Sequence, residues 1–107
     1  MTNILEKIVQ DKKQSLELIK KEKSLDLLYK NIKEQNFYNF KEAILKNKSV
    51  SLISEIKKAS PSAGVLINDF NYLEIAEMYI NSGATCLSVL TEEKYFLGKL
   101  DYIQDIK

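Results

Sequence analysis

The chain has 107 residues, enough for one small domain with a modest core but not comfortably for two. Its 16 lysines and arginines stand against 15 aspartates and glutamates, a net charge of +1 that argues for no nucleic-acid or membrane partner. With no histidine and one cysteine, Cys86, it lacks the commonest metal ligand and general base, cannot close an internal disulfide, and shows no metal-ligand spacing.

The charge is unevenly placed. Residues 1–48 carry 11 Lys and 7 acids, net +4, and residues 49–107 carry 5 Lys and 8 acids, net −3. Glu6, Asp11, Glu17 and Glu22 interrupt the lysines of the first part, so that part reads as a solvated helical face and not as a nucleic-acid arm. No apolar run approaches the roughly 20 residues of a membrane helix, and the N-terminus lacks a secretory pattern. The expected setting is cytoplasmic.

In chain order, Asn3 followed by Glu6 forms a capping box, and Ile4, Leu5, Ile8, Val9, Leu16 and Ile19 form an apolar stripe, so a helix is expected over about residues 4–22. Ser24 caps a second, with Leu25, Leu28, Tyr29 and Ile32 on one side. Asn39 and Glu42 repeat the box before Ala43, Ile44 and Leu45. The period then changes. "VSLISEIK", residues 50–57, reads as a buried strand, and Pro61 and Gly64 mark the loop after it. Asn68 or Asp69 is expected to cap a helix carrying Leu73, Ala76, Met78, Tyr79 and Ile80, and Gly83 to end it in a left-handed residue. "TCLSVLT", residues 85–91, is a second strand, "EEKYFLG" its loop, and Leu100, Ile103 and Ile106 open another helix.

Strand, helix, strand, helix with a crossover of this length means parallel β/α units. Two parallel strands do not make a stable sheet by themselves. A (β/α)8 barrel of roughly 250 residues spends about 31 on each unit. The 59 residues after position 48 (107 − 48) therefore supply about two. The expected fold class is α/β, the opening part of a TIM (β/α)8 barrel. In it, residues 1–48 form a helical N-terminal extension and residues 49–107 the first two β/α units. The chain reads as a fragment, stopping without a natural end at Lys107.

Residues two apart on a strand share a face, so Ile53, Glu55 and Lys57 take one face and Leu52, Ser54 and Ile56 the other, against a helix. Glu55 and Lys57 stand at the C-terminal strand end, where barrels of this kind carry their chemistry, about 7 Å apart along the strand. The same spacing also suits a strand-end salt bridge.

These residues resemble a known family. "LISEIKKASPSAGVL" resembles the first-strand signature of indole-3-glycerol-phosphate synthase, a Glu-x-Lys pair followed by Ser-Pro-Ser. "GATCLSVLTEEKYFLG" is similar to its second strand and following loop, and "NILEKIVQDKK" to its extension helix. The resemblance implies an enzyme of tryptophan biosynthesis. It closes and decarboxylates 1-(2-carboxyphenylamino)-1-deoxyribulose 5-phosphate to indole-3-glycerol phosphate, with no metal or organic cofactor. It implies a carboxylate for proton transfer at Glu55, a substrate-contacting cation or general acid at Lys57, a phosphate-side serine at Ser60, and an aromatic wall for the anthranilate ring at Phe96. The implied partner is a phosphorylated small molecule, with no nucleic acid and no membrane.

Closure onto a carbonyl and loss of hydroxide each need a proton donor, and a carboxylate can take the proton released on rearomatisation. A phosphate dianion needs hydroxyl and amide donors. Each residue also has an ordinary reading: Ser60 as a turn cap, Phe96 and Tyr95 as core, Cys86 as an inert buried thiol, Gly64 and Gly98 as backbone geometry. Lys99 departs from the small polar residue common at that point in the family. The family's principal general-acid lysine lies on a third strand that this chain does not contain. The 107-residue polypeptide alone is therefore expected to be inactive, and to self-associate or need the rest of a barrel. The competing readings are a non-catalytic anion-binding or assembly module and another phosphate-binding barrel enzyme.

Overall fold

The computed structural model describes residues 3–34, 36–47 and 49–107. Lys48, the last residue of the expected helical extension, lies outside them. Two compact units divide the chain after Phe37, ahead of the switch from helical to strand periodicity.

The first unit holds α1 (Ile4–Glu22) and α2 (Leu25–Asn31). Both begin where the caps are expected. The Asn3 side chain accepts from the Glu6 N–H at 2.9 Å, and the Ser24 hydroxyl from the Leu27 N–H at 3.2 Å. Lys20 and Lys21 fill the last turn of α1, where cations suit the helix dipole. Neither helix contains a buried residue.

The second unit opens with α3 (Phe40–Lys46), capped by Asn39, which accepts from the Glu42 N–H at 2.9 Å. It continues through β1 (Ile53–Ile56), β2 (Ala59–Ser60), β3 (Gly64–Val65), α4 (Tyr72–Asn81), β4 (Cys86–Val89) and α5 (Asp101–Ile106). β1 and β4 pair in parallel with Ile53 opposite Cys86 and Ile56 opposite Val89, as the strand–helix–strand order requires. The result is an α/β unit with a small parallel sheet.

Both strands are shorter than the apolar runs, because the flanking residues serve other bonds. Below β1 the Ser51 hydroxyl donates to Ile44 O at 2.8 Å. The Thr85 hydroxyl accepts from Leu52 N–H at 3.1 Å and from the Asn47 amide at 2.9 Å. These bonds tie α3 to the N-terminal ends of both strands.

The segment expected as a plain loop after β1 is an antiparallel hairpin. Ala59 faces Val65 and Ser60 faces Gly64, whose φ of 68° is a left-handed value that glycine adopts freely. The cap of α4 is also corrected. Asn68 and Asp69 lie in a turn, and Asn71 accepts from the Glu74 N–H at 3.2 Å. The intervening Phe70 packs with Tyr102, ring centroids 6.1 Å apart, which holds the chain out of the helix for those residues. The far end matches expectation. Gly83 has φ 96°, its N–H reaches Ile80 O at 3.1 Å, and Ala84 N–H reaches Tyr79 O at 2.9 Å, a Schellman ending.

Among the described residues the buried apolar core is Ile56, Ala59 and Ala76, with Ile56 only 1% exposed. Ile56 lies on the face expected to meet a helix, and α4 packs on β1 and α5. At the second contact Tyr72 stacks on Tyr102 with centroids 4.0 Å apart and donates to the Asp105 carboxylate at 2.6 Å. That hydrogen bond, with the nearby negative charge, raises the Tyr72 phenol above its ordinary 10.0. A raised folded-state value makes this stabilisation complete below the unfolded pKa and lost as pH rises through the folded one. Chemical denaturation as pH rises past about 10 should show stability falling more steeply in the unmodified chain than in Tyr72→Phe. Parallel pH profiles would disprove that assignment.

Candidate functional site

The register of the parallel pair decides which side chains share a face. Ser54 stands beside Leu87 and Ile56 beside Val89 on the helix-covered side. Ile53 stands beside Cys86 and Glu55 beside Ser88 on the opposite side. Ser88, the register partner of Glu55, is exposed. Reading the sequence missed it. The available signal was a lone hydroxyl in the apolar run "CLSVL", on the Glu55 face once parallel pairing is assumed. Cys86, expected to be buried, is only half-buried on this face.

Glu55 and Lys57 do meet. Lys57 Nζ lies 3.4 Å from Glu55 Oε1, with the side chains 34% and 46% exposed respectively. A pair this exposed stabilises a fold by about 0–1 kcal/mol, too little for β1 to depend on it. Its geometry offers a cation and a proton acceptor side by side at the C-terminal strand end.

A cleft adjoins this pair. It holds about 370 Å³ between Glu55 and Lys57, Leu66 and Ile67 beyond the hairpin, and Ile75, Met78 and Tyr79 of α4. Leu52 O and Ile56 O accept bonds from Cys86 and Leu90, so the even-numbered peptide groups of β1 point toward β4. Those of Ile53, Glu55 and Lys57 therefore point to the unpaired edge, where Tyr79 Oη donates to Glu55 O at 2.9 Å. The cleft follows this edge, which pairs with no other strand among the described residues.

Ser60 sits in the hairpin after β1. Its hydroxyl accepts from Ala63 N–H at 3.2 Å and lies 3.4 Å from the Ser62 hydroxyl. It thus serves the turn and leaves two hydroxyls on one loop. Phe96 is half-buried in the loop after β4 and does not line the cleft.

That loop has an internal organiser. The Glu92 carboxylate accepts from the N–H groups of Lys94 at 2.9 Å, Tyr95 at 2.7 Å and Phe96 at 3.1 Å. Gly98 N–H closes the loop on Glu92 O at 2.8 Å. Leu97, at φ 53°, takes a left-handed conformation that costs a side-chain-bearing residue about 1–2 kcal/mol. Gly98 is buried. A Cβ there would fall 2.1 Å from Leu90 O and 2.9 Å from Thr91 Cα, so only glycine lets the loop return to the strand end.

Among the described residues, no group of three or more His, Cys, Asp or Glu could hold a metal ion, and no helix is long and apolar enough to cross a membrane.

The indole-3-glycerol phosphate synthase family model matches residues 5–107. This chain belongs to that family. It is 48% identical over 106 residues to the indole-3-glycerol phosphate synthase of Clostridium acetobutylicum, covering 97% of this chain and 40% of that protein. It is 44% identical to those of Endomicrobium trichonymphae and Legionella pneumophila (strain Lens), covering 97% and 96% of this chain and 41% and 40% of theirs. The chain thus spans about 40% of the length of the indole-3-glycerol phosphate synthases it matches.

Proposed function

We propose that this chain supplies the N-terminal helices and first two β/α units of a (β/α)8 indole-3-glycerol-phosphate synthase acting in tryptophan biosynthesis. The observation that carries the reading is the 3.4 Å Lys57–Glu55 pair at the end of β1, with Glu55 in register with Ser88 of β4.

In this reading Lys57 contacts the substrate as a cation. It stabilises or protonates oxygen as the aromatic ring attacks the ketone carbonyl and, later, as hydroxide leaves. Loss of carbon dioxide from the attacking carbon restores the benzene ring, and Glu55, within reach of Lys57, takes the proton that leaves the neighbouring methylene as loss of water makes the indole aromatic. Ser60 donates to the substrate phosphate from the hairpin, with its hydroxyl hydrogen free to turn outward while the oxygen accepts from Ala63. Phe96 provides an apolar wall for the anthranilate ring. The remaining strands supply the other groups, and the unpaired edge of β1 receives one of them.

The test is a chimera in which these 107 residues replace the matching segment of the Clostridium acetobutylicum relative. The chimera should restore growth without tryptophan to a bacterium lacking this enzyme, while the 107-residue chain alone should not. A folded chimera that fails to support growth would favour the non-catalytic module, and growth with the 107 residues alone would overturn the partial-barrel reading.

A further inference from the structure

Glu92 has no part in the chemistry above, yet three backbone amides converge on its carboxylate. All three belong to the turn that carries Phe96, and the last is the Phe96 amide itself. The neighbouring Glu93 is exposed. Charge-assisted bonds from consecutive amides fix a turn's backbone more firmly than neutral ones. The base of the loop is held independently, by the Gly98–Glu92 bond and by the seat of Gly98 on Leu90 and Thr91. The carboxylate therefore governs the tip of the loop and not its attachment.

We infer that Glu92 is a positioning residue, which orders turn 94–96 and so sets Phe96 where it meets the aromatic part of the substrate. The inference rests on the proposed role of Phe96 and goes beyond it, since it makes the ring's placement depend on a carboxylate that never touches substrate.

The test uses the purified chimera, with kcat and KM measured for the parent, Glu92→Ala, Glu92→Gln, Phe96→Ala and the Glu92→Ala/Phe96→Ala double variant. Losing a placed aromatic contact that is made equally in ground and transition states should raise KM about ten-fold in Glu92→Ala and leave kcat within about two-fold. Glu92→Gln, which keeps an oxygen for the Tyr95 and Phe96 amides, should recover most of the loss. The double variant should be no worse than Phe96→Ala alone, because Glu92 acts through that ring. Amide exchange at residues 94–96 should quicken in Glu92→Ala while β1 and β4 stay protected. Unchanged kinetics in Glu92→Ala, or losses that add to those of Phe96→Ala, would overturn the inference. So would a general collapse of the melt, which assigns a purely structural role. An inactive parent chimera would instead defeat the reading of the site, and this inference with it.

Discussion

Replacing Lys57 with alanine in the chimera should lower kcat/KM for indole-3-glycerol phosphate formation by about 10²–10³-fold, the range expected for loss of a positioned proton donor or substrate cation. The thermal midpoint should barely move, because the Lys57–Glu55 pair is too exposed to carry stability. Lys57→Arg should not restore activity fully, since a guanidinium keeps the charge but neither the compact head nor the capacity to give up a proton. Steady-state kinetics beside a melting curve separates the cases. A small kinetic loss accompanied by a large thermal loss would make Lys57 a structural residue.

The second large effect is expected at Gly98. In Gly98→Ala the new methyl would sit 2.1 Å from Leu90 O and 2.8 Å from Leu90 C, both backbone atoms that cannot rotate aside. The loop must lift off the end of β4, at a cost of about 3 kcal/mol, which lowers the melting temperature of a barrel-sized chimera by roughly 6–12 °C. Gly83→Ala is the matched comparison. No atom lies within 4 Å of a Cβ there, so only its φ of 96° opposes the change, at about 1–2 kcal/mol. Gly98→Ala should also weaken substrate binding, because the lifted loop carries Phe96. Equal melting losses at the two glycines would show that conformational freedom, and not close approach, is what Gly98 supplies.

The sequence disclosed those features whose causes are local. The Asn3–Glu6 and Asn39–Glu42 pairs mark helix starts because a side-chain oxygen and an amide three residues on satisfy each other whatever surrounds them. Gly83 is legible for the same reason. The Glu55–Lys57 pair was legible too, since strand alternation alone puts both on one face. The true cap of α4 was not. Asn68, Asp69 and Asn71 are all competent caps, and the choice among them follows the packing of Phe70 on Tyr102, 32 residues later (102 − 70). Nor was the Tyr72–Asp105 bond, which spans 33 residues.

The loop after β4 shows the limit most clearly. Its aromatic pair and glycine stand out in the sequence, but glutamate is a poor cap on average. Nothing local signals that Glu92 gathers three amides, or that Gly98 must pass within contact of Leu90. The position of Ser88 needed only the register, and the register follows once both strands are taken as parallel.

The central claim is that these 107 residues carry a working part of an indole-3-glycerol-phosphate synthase site. The most direct measurement mixes the purified chain with a second polypeptide supplying the rest of the Clostridium acetobutylicum relative, and follows indole-3-glycerol phosphate formation. Turnover should appear on mixing, be absent from either piece alone, and fall by at least about 100-fold with Lys57→Ala. Turnover equal with and without Lys57, or a well-assembled complex with none, would contradict it.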